Sequence, residues 1–217
     1  MPLTERHVAP SILSADFANL AAKVREIMDA GARVIHCDVM DGHFVPPITM
    51  GPPAVAALRD MGAHLDVHLM IERPERQIAE FVAAGANTIT VHAEATPHLD
   101  FVLQSIREGG CRAGLAVCPS TPLAVFAEVE ADQALCMTVN PGWGGQAFIP
   151  RSLDRIRRLR ALVGDEADLE VDGGIDLQTA RPCAEAGATL FVAGTAVFGA
   201  RNPGEAYAEL ASSIGCS

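Results

Sequence analysis

Lysine is almost missing from this sequence, since Lys23 is the only copy among 217 residues. It lies in the first predicted helix, away from the strand ends where reacting groups would be expected. Schiff-base aldolases and pyridoxal-phosphate enzymes need a lysine in their site, and a decarboxylase of the orotidine-phosphate type needs a lysine acid. The scarcity of lysine therefore excludes these three kinds of chemistry.

Three further features are absent. No glycine occurs in the segment 11–16 after the first apolar run, where a dinucleotide-binding fingerprint would lie, so a redox cofactor is not indicated. No apolar run is long enough to cross a membrane, and residues 1–10 lack the apolar core of a signal peptide. The six cysteines form no CxxC pair, which predicts reduced thiols in a cytoplasmic protein.

Positive charge is also in short supply. Acidic residues outnumber lysine and arginine by 27 to 16, so the formal net charge is -11. This balance argues against nucleic acid and against an anionic membrane surface as partners. It does not exclude a small anionic ligand, because backbone N–H groups can hold a phosphate. The chain is 49% hydrophobic, which predicts a folded globule with residues 1–217 in a single domain.

A repeated unit organises the chain. An Ala-Gly-Ala segment or a close copy follows a helix-like stretch and precedes a short apolar strand, as at Gly31, Gly62, Gly85 and Gly187. Glycine just past a helix end is the usual left-handed cap, so the unit reads helix, cap, strand, loop. The predicted strands are 8–13, 34–39, 65–69, 88–92, 112–117, 134–139, 168–172 and 189–193.

Strands that alternate with helices give a parallel sheet with right-handed crossovers. Eight such units favour a compact single (β/α)8 TIM barrel of the phosphate-binding type, whose usual length is roughly 250 residues. A doubly wound open sheet is the alternative, and it lacks its glycine fingerprint here. Helix starts are predicted at Thr121-Pro122 and Asn202-Pro203, where a capping side chain precedes proline.

Polar side chains follow several predicted strands, where the reacting groups of such a barrel lie. Two histidines and two aspartates, His36, Asp38, His68 and Asp172, form a set suited to one divalent ion: Zn²⁺, Fe²⁺, Mn²⁺ or Co²⁺. The alternative is a satisfied core histidine with an aspartate that caps the next loop. Further side chains at these strand ends are Ser11, Met40, Met70, His92 and Met137. His7, His43, His64 and His98 are expected to face loops or solvent.

Glycine-rich loops follow the sixth, seventh and eighth predicted strands, at 140–146, 172–174 and 194–196. The loops after strands seven and eight form the usual phosphate site of this fold. We therefore predict a phosphate held by backbone amides, with tight turns alone as the alternative interpretation.

These groups together suggest a proton-transfer reaction on a sugar phosphate. A divalent ion can polarise a carbonyl and stabilise the enediolate that forms when a neighbouring proton is removed. Strands two and seven lie three steps apart around the ring, so Asp38 and Asp172 would approach the substrate from different directions. That geometry suits epimerisation. Met40, Met70 and Met137 would exclude water from the enediolate, although Met137 fits ordinary core packing equally well.

The segments APSILSADFANL, HCDVMDGHFVP, DVHLM, VNPGWGGQAF, LEVDGGI and FVAGTAVF resemble the ribulose-phosphate 3-epimerase family over nearly the whole chain. The resemblance implies C3 interconversion of D-ribulose 5-phosphate and D-xylulose 5-phosphate in the pentose phosphate pathway. It implies that Asp38 and Asp172 are the acid/bases and that His36, Asp38, His68 and Asp172 hold the metal. It further implies substrate contacts at Ser11, His68, Gly142, Trp143, Gly144, Gly145, Gly173, Gly174, Gly194 and Thr195.

Four positions depart from the residue that is usual in the family: Trp143 replaces Phe, Thr195 replaces Ser, Pro47 replaces Asn and Cys118 replaces Asn. None is in the ligand set. The departures leave open a 3-epimerase of a hexulose phosphate such as D-allulose 6-phosphate. A barrel that binds a sugar phosphate without turnover is an alternative from another class. A homo-oligomer is also expected.

Overall fold

The computed structural model describes residues 5–216, and eight parallel strands dominate it. Their bounds are β1 His7–Pro10, β2 Val34–Met40, β3 His64–Met70, β4 Thr88–His92, β5 Arg112–Val117, β6 Gln133–Met137, β7 Asp168–Asp172 and β8 Leu190–Ala193. The strands lie in the order β1-β8-β7-β6-β5-β4-β3-β2. The two ends of this order meet at a bridge between Ser11 and His36, so the sheet is a nearly closed barrel. The predicted (β/α)8 barrel is confirmed, and the open sheet is wrong.

Helices cover the outside of the barrel. Their bounds are α1 Leu20–Asp29, α2 Pro52–Leu58, α3 Ile78–Ala84, α4 Leu99–Glu108, α5 Ser152–Val163, α6 Ala180–Glu185, α7 Thr195–Phe198 and α8 Pro203–Ser213. Within residues 5–216, none of the helices has the length and apolar character that a membrane span requires.

Three predicted features differ from the structure. The sixth strand is predicted to reach residue 139 but ends at Met137. The first strand ends at Pro10, because Ile12–Ser14 turns into a 3-10 helix whose N-cap is Ser11. The helix expected after Thr121-Pro122 is only a 3-10 helix at Leu123–Ala127. The start at Pro203 is confirmed, since Asn202 accepts a hydrogen bond from the backbone of Glu205 at 3.3 Å.

The strands of the barrel present two different faces. Ile35, Cys37 and Val39 of β2 belong to the main apolar cluster, which also contains side chains of the outer helices. Because side chains of a strand alternate, His36 and Asp38 point to the other face, inside the barrel, and both are buried. The same alternation on β3 and β7 gathers polar groups in the interior. The fold thus separates a dry outer layer from a polar centre.

Candidate active site

A pocket opens at the C-terminal ends of the strands, and it contains most of the side chains predicted for the site. Its lining includes Ser11, Asp38, Met40, Met70, Met137, Gly142, Trp143, Gly144, Gly145, Asp172, Gly173, Gly174, Gly194 and Thr195. His36 and His68 are fully buried and lie directly below, in contact with Asp38. The structure therefore brings all of the predicted site residues to one place.

Four side chains converge at the floor of this pocket. Oδ1 of Asp38 lies 3.2 Å from Nε2 of His36 and 3.1 Å from Nδ1 of His68. Oδ2 of Asp172 lies 3.7 Å from the same Nδ1. The ligand atoms of these four residues all lie within 4.8 Å of one another. Strand register explains the meeting, since His68 is the direct neighbour of Asp38 across β2 and β3.

His36 is oriented from behind by two buried acidic side chains, Asp66 and Glu170. Its Nδ1 donates to Oδ2 of Asp66 at 2.8 Å and lies 3.2 Å from Oε1 of Glu170. Gln133 donates to both of these acids, at 3.0 Å and 2.8 Å. A ligating histidine usually donates its second N–H to such an acceptor. This arrangement leaves Nε2 of His36 to face Asp38.

The protonation of His36 follows from the same neighbours. Burial alone would lower the pKa of His36, but Asp38, Glu170 and Asp66 raise it well above its usual value. The pKa of Asp38 moves the other way. Burial would raise it, yet His36 and His68 lower it far below the ordinary range. Asp38 is therefore held as a carboxylate.

Asp172 lies in a different electrostatic setting. Its burial, followed by the negative charge of Asp38, raises its pKa to about 7, and His36 only partly opposes this. Two carboxyl groups that line one pocket thus differ in proton affinity. Environments that push a pair of pKa values apart commonly mark an acid and a base.

The four-residue set suits a divalent cation chemically. Two imidazole nitrogens and two carboxylate oxygens converge, and such ligands bind Zn²⁺, Fe²⁺, Mn²⁺ or Co²⁺. Buried charges of this kind are costly unless they are paired or coordinate a metal. The carboxylates Asp38 and Asp172 would balance the charge of the ion. The cluster could therefore hold a metal, and its donors do not distinguish among these four ions.

Glycines let the loops above the strands approach one another closely. Gly174 has φ +66°, and a Cβ there would lie 2.5 Å from the backbone nitrogen of Phe148. A Cβ on Gly194 would lie 2.7 Å from Oγ of Ser14. The loop after β7 thus meets the loop after β6, and the loop after β8 meets the segment after β1. Glycines of all three loops line the pocket.

Methionines form the apolar wall of the pocket. Met40 and Met70 pack with Val45, and Met137 packs with Val139. All three methionines are buried yet line the pocket. Thioethers are apolar and polarizable, so this wall of the pocket carries no charge.

Several functional neighbours were not found from the sequence. Asp66, Glu170 and Gln133 lie inside the barrel, and the two-residue spacing of Asp66 from His68 and of Glu170 from Asp172 is the signal that could have indicated them. The expectation that His7 and His64 lie in loops or face solvent is wrong, because these residues are half-buried and begin β1 and β3. Nε2 of His64 contacts Oγ1 of Thr88 at 2.8 Å. Glu94 has no such strand signal, because it lies in a 3-10 helix, Ala93–Ala95, that follows β4.

The barrel and its pocket define an enzyme of the (β/α)8 class with a candidate metal centre beside glycine-rich loops. The chain belongs to the ribulose-phosphate 3 epimerase family, whose model matches residues 7–198. The predicted enzyme class, an epimerase, is thereby confirmed.

Curated relatives agree with this assignment. The chain is 48% identical over 198 residues to a ribulose-phosphate 3-epimerase of Escherichia coli (strain K12), covering 88% of each chain. It is 48% identical over 213 residues to one of Bacillus subtilis (strain 168), covering 95% of this chain and 98% of the relative. A crystal structure of KGPDC from Streptococcus mutans has a TM-score of 0.73 at 14% identity, covering 97% of this chain and 98% of that one. The last likeness shows the fold alone.

Proposed function

We propose that this protein interconverts D-ribulose 5-phosphate and D-xylulose 5-phosphate at C3, as a metal-dependent step of the pentose phosphate pathway. The observation that carries the proposal is the position of Asp38 and Asp172, which line one pocket from β2 and β7 with a buried histidine pair below them. Family membership and the curated relatives support the choice of substrate.

The phosphate of the substrate binds at the loops after β6, β7 and β8. The glycines of these loops, Gly142, Gly144, Gly145, Gly173, Gly174 and Gly194, line the pocket together with Trp143 and Thr195. Backbone N–H groups can hold a phosphate without a basic side chain. Such an anchor fixes the sugar carbons at a set distance from the strand ends, where Ser11 and the acids lie.

Asp38 and Asp172 move the protons. One carboxylate removes the C3 proton on its face of the sugar, and the other acid donates a proton to the opposite face, which inverts the carbon. In the reverse direction the two side chains exchange roles. The intermediate between the two transfers is an enediolate of the substrate.

Four residues, His36, Asp38, His68 and Asp172, would hold the cation. When bound, a divalent cation supplies positive charge that stabilises the enediolate. Met40, Met70 and Met137 keep water away from this centre, which strengthens the electrostatic interactions inside it. The six free cysteines fit a reducing compartment, and the homo-oligomer stays a prediction.

Steady-state kinetics with two substrates test the proposal. The metal-replete protein should convert D-ribulose 5-phosphate with kcat/KM at least tenfold above that for D-allulose 6-phosphate. A preference for the hexulose phosphate would assign the alternative substrate. Ligand-induced stabilisation without turnover of either sugar would contradict an enzymatic role.

A further inference from the structure

A continuous row of side chains runs from the protein surface to the candidate metal centre. Oε2 of Glu94 lies 3.2 Å from Nδ1 of His92. Nε2 of His92 lies 2.9 Å from Nε2 of His68, and Nδ1 of His68 faces Asp38 at 3.1 Å. The two imidazole rings are stacked, with their centroids 5.0 Å apart. Both histidines are fully buried, whereas the Glu94 side chain retains 27% of its exposure.

Glu94 is fixed as an acceptor at the outer end of this row. Its Oε1 accepts hydrogen bonds from the Cys118 backbone N–H at 2.8 Å and from the Thr121 hydroxyl. Burial would raise the pKa of Glu94, but the His92 ring, Thr121 and Cys118 outweigh it and lower the pKa to about 2. Arg155 donates to the carbonyl oxygens of Cys118 and Thr121 and so holds their loop in place.

The positions of the hydrogens follow from this acceptor. An ionised carboxylate only accepts, so Nδ1 of His92 carries a hydrogen and donates it to Glu94. A neutral His92 then has a lone pair on Nε2, which accepts from Nε2–H of His68. A neutral His68 is left with its lone pair on Nδ1, the atom that faces Asp38 and Asp172. Because a lone pair and a carboxylate oxygen repel each other, this tautomer of His68 is the one that fits the protein with a cation bound to both residues.

We propose that Glu94 and His92 are positioning residues that fix the tautomer of His68 and present its Nδ1 lone pair to the cation. This inference rests on the proposed cation at His36, Asp38, His68 and Asp172. With the opposite tautomer, Nδ1 of His68 would carry a hydrogen and could not bind the cation. His36 has its own acidic partners, Asp66 and Glu170, so the contacts of Glu94 and His92 act on the second histidine, His68.

The variant Glu94→Gln tests this row of side chains. Glutamine has the shape of glutamate, but it reverses the direction of the hydrogen bonds from residue 94 through His92 to His68. The glutamine oxygen is needed by Cys118 N–H and Thr121, so the amide NH₂ faces His92. Nδ1 of His92 then has to accept, its Nε2 donates, and Nδ1 of His68 gains the hydrogen. Loss of an outer partner of a ligating histidine typically weakens metal binding by about 10–100-fold.

The experiment is a titration of metal-free protein with Co²⁺. Calorimetry measures the affinity, and visible absorption reports the coordination of the bound Co²⁺. Glu94→Gln should bind Co²⁺ about 10–100-fold more weakly and with an altered absorption spectrum, while its metal-free thermal midpoint stays near that of the wild type. Glu94→Asp keeps the acceptor and should recover part of the affinity. Glu72→Gln is the matched control, since it removes one negative charge from an exposed side chain in the loop after β3.

Each outcome separates the two proposals. If Glu94→Gln and Glu72→Gln bind Co²⁺ with the same affinity and the same spectrum, the positioning role of Glu94 and His92 is contradicted. The proposed metal centre would be unaffected by this result. A wild-type protein that binds no Co²⁺ would overturn both. If Glu94→Gln fails to fold, the Co²⁺ affinity of Glu94→Asp decides. An affinity that is measurable but lower than that of Glu72→Gln supports the positioning role, and an affinity equal to that of Glu72→Gln contradicts it.

Discussion

Ser11 donates its hydroxyl hydrogen to Oδ2 of Asp38 across 2.5 Å, while Oδ1 of the same carboxylate faces His36 and His68. The two oxygens therefore have different neighbours. Oδ1 belongs to the proposed cation site, and Oδ2 is the oxygen that Ser11 orients. This division would let Asp38 fill both of the roles proposed for it, ligand and proton carrier.

The Ser11→Ala variant should lower kcat/KM about 10–100-fold. A hydrogen bond to a charged group contributes about 1.5–3 kcal/mol, and each 1.36 kcal/mol corresponds to about tenfold in rate. Ser105→Ala is the control, because it removes a hydroxyl on α4 that donates to the carbonyl oxygen of Phe101 and does not line the pocket. If Ser11→Ala kept full kcat/KM, the orientation of Asp38 would not depend on Ser11.

Asp38→Asn and Asp172→Asn should each lower kcat by about 10²–10⁴, because each removes one acid/base. Steady-state kinetics and thermal unfolding together measure this effect. Asp60→Asn provides the control, since its side chain is 91% exposed beside Arg59. Near-full activity of either variant would remove that residue from the proton transfer.

Gly194→Ala should raise KM for the sugar phosphate about tenfold and change kcat little. The new Cβ would meet Ser14 Oγ at 2.7 Å and narrow the part of the pocket assigned to the phosphate. Extra methyl groups in packed regions cost about 1–3 kcal/mol, so the fold should persist. An unchanged KM would place the phosphate elsewhere.

Removal of divalent ions by a chelator should abolish turnover, and adding back Zn²⁺, Fe²⁺, Mn²⁺ or Co²⁺ should restore it. A ligand at 100 times its Kd stabilises the folded state by about 2.7 kcal/mol, which thermal unfolding detects. His36→Asn should lose this stabilisation, whereas His43→Asn, an exposed residue in the loop after β2, should keep it. Full activity after exhaustive chelation would contradict metal dependence.

Asp41 predicts a pH dependence of stability. Its carboxylate accepts backbone hydrogen bonds from His43, Phe44 and Glu72, at 2.8 to 2.9 Å. Burial acts to raise the pKa of Asp41, but these N–H donors outweigh it and lower the pKa. A lowered folded-state pKa gives stability that is present above the unfolded value of 3.8 and is lost as the pH falls through the folded value.

The Asp41→Asn variant should therefore lose about 1–3 kcal/mol of unfolding free energy at pH 7. The difference from wild type should shrink as the pH falls below about 4. Urea unfolding at a series of pH values measures it, with Asp60→Asn as the comparison. A difference that is constant with pH would show that the Asp41 charge is not involved.

The barrel could be predicted because the chain repeats its local signals. Gly85, for example, caps α3 with φ +98° and introduces β4, and such caps recur before several other strands. The four-residue cluster could also be predicted, since strand ends converge in a barrel. The extent of the first strand could not, because the turn at Ile12–Ser14 depends on a side-chain cap from Ser11.

The contacts of the residues that surround the four-residue cluster could not be predicted from the sequence, because they depend on how the strands are aligned in three dimensions. Asp66 lies directly across from His36, but Gln133 reaches Asp66 from β6, on a distant part of the ring. Glu94 contacts the loop after β5 through Cys118 and Thr121. No spacing within one segment encodes such contacts, because they depend on how the barrel closes and on loop backbone.

Single turnover of D-ribulose 5-phosphate in D₂O, followed by proton NMR, tests the central claim that two acids act on opposite faces of one carbon. The acid that delivers the second proton exchanges with solvent, so the D-xylulose 5-phosphate formed should carry deuterium at C3. Product that retains the original hydrogen at C3 would show that one group removes and returns the same proton, and would contradict the roles of Asp38 and Asp172.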